Sequence, residues 1–187
     1  MGQLIYSMIV SLDGYWADRQ GNFDWAMPSE EVLAEVNAET VSIGTYLYGR
    51  RMYELMQVWE TDPNIAGESA GAQTYAELWQ QAHKIVYSTQ LDDISTARTE
   101  LRRTFVPEEV RELKTQTSAD LSVDGPTLAA TALRHGLVDR IHQIVCPIVI
   151  GSGLSFLPEL RIDLELDRHQ RFDNGMMALQ YRVRTGA

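Results

Sequence analysis

The sequence predicts an α/β fold in which a central, mainly parallel sheet is flanked by helices and closed by an antiparallel hairpin. Three observations carry this. Apolar, β-branched segments alternate with helical ones through most of the chain, the order of elements that builds parallel sheets. Turns bearing glycine, arginine or hydroxyl groups stand directly after strands, at Asp13-Gly14, Gly49-Arg50-Arg51, Ser88-Thr89 and Asp124-Gly125-Pro126. Near the C-terminus two β segments are joined by Asp173-Asn174-Gly175, and Asn-Gly between such runs is the strongest short-range hairpin signal.

Residues 3–12 (QLIYSMIVSL) read as a strand, apolar on both faces toward its end and therefore central. Residues 16–25 form a loop that turns at Gly21-Asn22. Ser29 is an N-cap, since its hydroxyl can accept from a free first-turn N–H, and Val32, Leu33 and Val36 share one face of a helix over 30–39. Residues 41–48 are rich in β-branched and aromatic side chains and read as a strand. Gly49-Arg50-Arg51 then opens a helix carrying Met52, Leu55, Met56 and Trp59. Residues 61–71 hold proline, asparagine and glycines and read as a surface loop. A helix follows over 73–81, a strand over 83–88 (HKIVYS), and a helix over 107–113 with proline at its start.

Residues 121–123 read as a short strand, Asp124-Gly125-Pro126 as a sharp turn, and the next stretch as a helix to His135. A long apolar strand then runs to Gly151-Ser152-Gly153, and the hairpin arms span 160–172 and 176–184. No internal repeat or linker breaks the chain, so residues 1–187 form one domain long enough to bury a core.

Composition narrows the function. The formal net charge of −10 argues against nucleic acid or an anionic membrane surface as partner. An anionic ligand would therefore need a local basic cluster. No apolar run reaches the ~18 residues of a membrane span. The single cysteine, Cys146, makes no internal disulfide and sits in the apolar run IVCPIVI, so a cytoplasmic setting and a buried, inert thiol are expected.

In open α/β sheets ligands bind beyond the carboxyl ends of the strands, where all four turns fall. Gly125 lets the backbone pass close to a bound group, and Pro126 suits the first helical position. The N–H groups after it, beginning with Thr127, are left free where the helix dipole favours an anion. Arg50 and Arg51 are fixed, forked cations suited to phosphate, or else a solvated pair bonding nearby carboxylates. Ser88 and Thr89 have hydroxyls for a ribose or its phosphate, though strand-end hydroxyls often serve only their own turn. Trp16, Trp25, Tyr48 and Trp59 can wall a cleft for a planar heterocycle, and at least two of them are expected to be core. Asp13 is the best-placed carboxylate for acid–base work. Gly151-Ser152-Gly153 is no dinucleotide fingerprint: Phe156 stands where the third glycine belongs. No nucleophile elbow or paired-histidine metal motif is present, and His83, His135, His142 and His169 are scattered.

Four segments carry a family resemblance: IVSLDGYWAD (9–18), YLYGRRMYE (46–54), KIVYSTQL (84–91) and DLSVDGPTLAATALRHGLVDRIHQIVCPIVIGSGLSF (120–156). The chain resembles the dihydrofolate reductase-like superfamily, specifically the C-terminal reductase domain of the bifunctional riboflavin deaminase-reductase, as a stand-alone bacterial member. The resemblance implies a central mixed sheet of about eight strands. It implies binding of NADPH, with NADH as the other choice, and hydride transfer to a small heterocyclic or ribosyl substrate. By that similarity Gly49, Arg50 and Arg51 approach the cofactor phosphates, and Ser88 and Thr89 the adenosine ribose and its 2′-phosphate. Asp124, Gly125, Pro126 and Thr127 cradle the pyrophosphate, and Gly151 and Gly153 complete the cofactor site. Asp13 faces the reacting centre as the proton source, directly or through a water, with Trp25, Tyr48 and Trp59 toward substrate. A homodimer is implied too.

The chain departs from the family in having Asp124 where Gly-Gly-Pro is usual, and Gln90 where an arginine commonly follows the strand-end serine. These favour another function, a ligand-binding or dimer-forming protein that retains the fold with weakened cofactor binding. A dihydrofolate reductase is a third and weaker reading, since Glu30, Glu31 and Glu35 offer no single match for the acidic residue that the folate enzymes place in the first long helix.

Overall fold

The computed structural model describes residues 1–184; the last three residues of the expected domain lie outside the described residues. Strands β1 (Leu4–Ser11), β3 (Ile43–Gly49), β4 (His83–Tyr87), β5 (Thr99–Arg102), β6 (Asp120–Asp124), β7 (Arg140–Cys146), β9 (Leu164–Arg171) and β10 (Met177–Val183) form one eight-stranded sheet. Its order is β5-β4-β3-β6-β1-β7-β10-β9. The six strands from β5 to β7 are mutually parallel, so their carboxyl ends share one edge; β10 and β9 are antiparallel additions.

Helices cover both faces. On one, α1 (Glu30–Thr40) packs against α5 (Ala70–Gln81). Ser29 and Ser69 cap these helices by accepting from the N–H groups of Val32 and Ala72. On the other, α6 (Pro107–Gln116) and α7 (Pro126–Arg134) supply Val110, Ala129, Ala132 and Leu133 to a core with Leu4, Tyr6, Leu47, Leu121, Val123 and Ile141. β1 shows why the sheet is buried on both sides: Leu4, Tyr6 and Val10 enter that core, while Ile9 on the alternate face packs with Ile144 and Cys146. Burial of each large side chain is worth about 2 kcal/mol. A third cluster joins Tyr46, Tyr48 and Val86 to Tyr53 of α2 (Arg50–Met56) and Trp79 of α5. Among the described residues no helix is long and apolar enough to cross a membrane.

Several boundaries differ from expectation. β7 stops at Cys146, because Pro147 has no N–H to give the ladder and Ile148 turns back to donate to the Cys146 carbonyl at 2.8 Å. Within residues 57–71 two short helices form, α3 (Val58–Thr61) and α4 (Pro63–Ala66), the latter capped by Asp62. β5 is an edge strand too short and too charged for an alternation signal. β9 begins at Leu164 rather than 160. The hairpin turn is as expected, with Gly175 at φ +85° and donating to the Phe172 carbonyl.

The loop after β1 contains β2 (Tyr15–Ala17), which pairs with β8 (Leu154–Ser155) in a separate two-stranded ribbon. Gly153 is required there: a Cβ on it would lie 2.2 Å from the Ala17 carbonyl oxygen. Both sides of that contact are backbone, so relief means parting the ribbon. Gly153→Ala is therefore expected to lose about 1–3 kcal/mol in urea denaturation. Gly151→Ala, with φ +74° but open space around its Cβ, should lose only the left-handed strain of about 1 kcal/mol.

Candidate functional site at the carboxyl edge of the sheet

Four chain reversals meet at this edge. β3 and β6 lie side by side with Tyr48 opposite Asp124, and β3 and β4 with Gly49 opposite Tyr87. Gly49, Asp124 and Ser88 thus end three adjacent strands at one level. Gly125 is buried with φ +93°, and a Cβ on it would sit 3.2 Å from Met52 Cβ. That contact sets the start of α2, with Arg50 and Arg51, against the Gly125-Pro126 turn. The arginine pair and the proline-bearing bend therefore share one side of the molecule.

The individual groups differ in what they leave free. Arg50 is bound to its own helix, its Nη1 donating to both Glu54 carboxylate oxygens at 2.9 Å. Arg51 is exposed. α2 has only seven residues, so these side chains, more than a helix dipole, bring positive charge. Pro126 is the first residue of α7, and Thr127 beside it is exposed, while Ala129 N–H is already given to the Gly125 carbonyl. Around Gly49 a Cβ would meet nothing within 4 Å, so the space above this strand end is open.

The Ser88 hydroxyl is engaged, accepting from the N–H groups of Gln90 and Leu91 at 3.1 and 3.0 Å; Thr89 is exposed. A cation stands at this turn that sequence reasoning missed. Arg103, just beyond β5, donates through Nη1 to the carbonyls of Ser88 and Leu91 at 3.2 and 2.6 Å. Its only sequence signal was the pair Arg102-Arg103 after TEL, which an unrecognised edge strand could not place.

Asp13 and the Ile150-Gly151 amides form a clamp beyond β1, while Gly153 lies against Ala17 in the β2–β8 ribbon. The exposed Asp13 carboxylate accepts from Gly151 N–H at 2.7 Å and Ile150 N–H at 3.3 Å, while Leu12 N–H reaches the Ile148 carbonyl at 2.8 Å. The Ser11 hydroxyl, with those amides, holds the Asp13 carboxyl below its usual range. It is thus ionised at neutral pH and suited to positioning the loop, while direct proton donation is the poorer use of it.

Asp124 is the opposite case. Its Oδ2 is sealed from solvent with no hydrogen-bond partner among the described residues, and burial pushes its carboxyl up to about 7.

The three aromatic residues separate. Tyr48 is fully buried, stacked on Tyr46 and accepting from Trp79 Nε1 at 2.8 Å, so it is core and closed to substrate. Trp59 packs edge-on against Tyr75 in the same cluster. Trp25 lies in a 3₁₀ turn against the Val32–Phe172 cluster, and its buried Nε1 has no hydrogen-bond partner among the described residues.

At the opposite, amino end of the strands a polar depression of about 320 Å³ is lined by Gln3, Glu39, Arg140, His142 and Gln180. It shares no residue with the carboxyl edge. Among the described residues no group of three or more His, Cys, Asp and Glu is placed to hold a metal ion.

Comparison with known proteins agrees with this architecture. An uncharacterized protein, YyaP, of Bacillus subtilis (strain 168) is 27% identical over 190 residues, covering 96% of this chain and 94% of that protein. A Shewanella sp. PV-4 protein ascribed to riboflavin biosynthesis superposes with a TM-score of 0.76 at 17% identity, covering 98% of this chain and 99% of the other. The Thermotoga maritima diaminohydroxyphosphoribosylaminopyrimidine deaminase/5-amino-6-(5-phosphoribosylamino)uracil reductase superposes with a TM-score of 0.66 at 15% identity; the match covers 98% of this chain and 57% of that one. The fold is thus dihydrofolate reductase-like, as the sequence implied. The family profile described as RibD C-terminal domain matches residues 3–178. The chain belongs to the RibD C-terminal domain family.

Proposed function

We propose that this protein is an NADPH-dependent reductase that delivers hydride to a C=N or C=O bond of a small heterocyclic or ribosyl substrate, similar to 5-amino-6-(5-phosphoribosylamino)uracil. The observation that carries the reading is the convergence at one sheet edge of the Gly125-Pro126 turn, the start of α2 and the Ser88 turn, with Gly125 so close to α2 that a Cβ on it would lie 3.2 Å from Met52 Cβ. Family membership supports it.

The residues present fit such a cofactor. The first N–H groups of α7 and the exposed Arg51 face a pyrophosphate, and the open space at Gly49 admits it. Arg103, just beyond β5, supplies the cation that Gln90 does not, next to the ribose-side turn. When bound, a reduced nicotinamide contributes the hydride. The chain's part is to orient both reactants and to manage the proton. Asp13, anchored and ionised, orders the turn after β1 and the water that protonates the product.

Fluorescence titration with NADPH and NADH tests the reading. The expected result is saturable binding with NADPH preferred. Arg103→Gln should reduce that preference roughly tenfold while leaving NADH affinity nearly unchanged, the size of one lost charge-assisted hydrogen bond. Failure of both dinucleotides to bind at millimolar concentration would defeat it. Asp124 favours a second reading, a ligand-binding protein without turnover. Stabilisation by NADPH in thermal melts, with no oxidation in the presence of carbonyl or imine substrates, would select that alternative.

A further inference from the structure

The residue that closes β6 has a consequence for what the crevice can hold, given the nucleotide reading above. Asp124 directly precedes the Gly125-Pro126 turn, and opposite it in the sheet stands Tyr48. The side chain cannot swing clear by moving the turn. Gly125 is buried at φ +93° and already packed on Met52.

The groups that feel the charge of this carboxyl are hydroxyls, and one of them, Ser122, hydrogen-bonds to it. Tyr46 and Tyr48 come from β3, Tyr75 from α5, Tyr6 from β1 and Ser122 from β6. Tyr6 already donates to the Phe156 carbonyl, and Tyr48 accepts from Trp79. From α2, Met52 is apolar, and Arg50 is engaged by Glu54. No lysine or arginine contributes to the carboxyl's ionisation.

A sealed oxygen with no donor partner is tolerable as part of a neutral acid and costly as an anion. A phosphate drawn to the first N–H groups of α7 would add negative charge within a few residues of it.

We propose that Asp124 is a proton-linked selectivity residue: the crevice accepts a phosphorylated nucleotide only with this carboxyl neutral, so binding above neutral pH takes up one proton from solvent. The step makes and breaks no bond other than the carboxyl O–H, and the proton comes from the buffer. In the free protein burial places the titration at about 7. Below that pH the carboxyl is already neutral and binding is pH-independent. Above it affinity falls by up to tenfold per pH unit, the limit for one coupled proton.

The test measures the Kd of NADPH and of NADH at pH 6, 7, 8 and 9 for the wild-type chain and Asp124→Asn. Calorimetry of the wild-type protein at pH 8, in two buffers of different ionisation enthalpy, reads the proton directly. The expected result is a wild-type affinity that declines above pH 7 for both dinucleotides, a flat profile for Asp124→Asn, and uptake of about one proton at pH 8. NADH serves because it lacks the 2′-phosphate, whose own titration could mimic the effect. Binding with the same pH profile in both proteins, or with no proton uptake, would overturn the inference while leaving the nucleotide reading intact. Absence of binding at every pH, including 6, would remove the nucleotide reading and this inference with it.

Discussion

Replacing Asp124 by asparagine is expected to stabilise the protein at pH 8 by up to about 4 kcal/mol and to change it little at pH 4. The reasoning is a linkage between burial and ionisation. The carboxyl has an ordinary value of 3.8 and is raised to about 7 in the folded chain by burial, with Ser122 opposing weakly. A carboxyl raised on folding contributes stability that is complete below 3.8 and is lost as pH climbs toward 7. About three pKa units at 1.36 kcal/mol each give the figure above, an upper bound because part of the residue is accessible to water.

Asparagine keeps the shape of the neutral acid and cannot ionise. Asp13 and Asp18, whose carboxyls are held below their usual range, push the whole-protein profile the other way. The difference between wild type and variant isolates Asp124. Urea denaturation at the two pH values measures it, and a difference that does not change with pH would mean the carboxylate is solvated or paired after all.

How far the sequence reveals this site depends on the range of the interactions involved. Turns that use glycine for a positive φ, proline at a helix start and Asn-Gly in a hairpin announce themselves locally, and Gly125, Pro126 and Gly175 are all as expected. Near-continuous apolar runs mark β1 and β4 because each buries both faces. Edge and ribbon strands carry no such mark: β5 reads TELR, β8 is two residues long, and their pairing depends on partners far along the chain.

The same limit shaped the reading of individual residues. Tyr48 looks like a cleft wall in sequence and is core in space, because its burial depends on α5 crossing the sheet thirty residues later. Arg103 reaches the Ser88 turn only through β5. Asp13 looks catalytic beside a glycine, yet the loop at 150–151, far away in sequence, takes up both of its oxygens. Local chemistry was legible; the partner of each group was not.

Truncating Lys84 to alanine is expected to cost about 3–5 kcal/mol, whereas methionine should recover most of it. Lys84 lies in β4 with its side chain entirely buried. Its Nζ donates to the Trp79 carbonyl at 3.3 Å, stands 4.3 Å over the Trp79 ring and lies 4.0 Å from Glu60 Oε2. Burial, helped by Arg98, lowers the pKa of this ammonium, and Glu60 only partly opposes that. The charge is therefore held at some cost, and at 4.0 Å the ion pair is too long to offset it fully. Packing of the alkyl stem is what stabilises. Alanine opens a cavity under Trp79 and leaves Glu60 Oε2, already without a hydrogen-bond partner, facing it. Methionine fills the same volume with no charge to desolvate. Trp79 in turn donates to Tyr48, the residue paired with Asp124, so loosening it reaches the carboxyl edge. Urea denaturation of the two variants decides the matter. Equal losses in both would show that the ammonium contacts, and not the stem, hold this corner of the fold together.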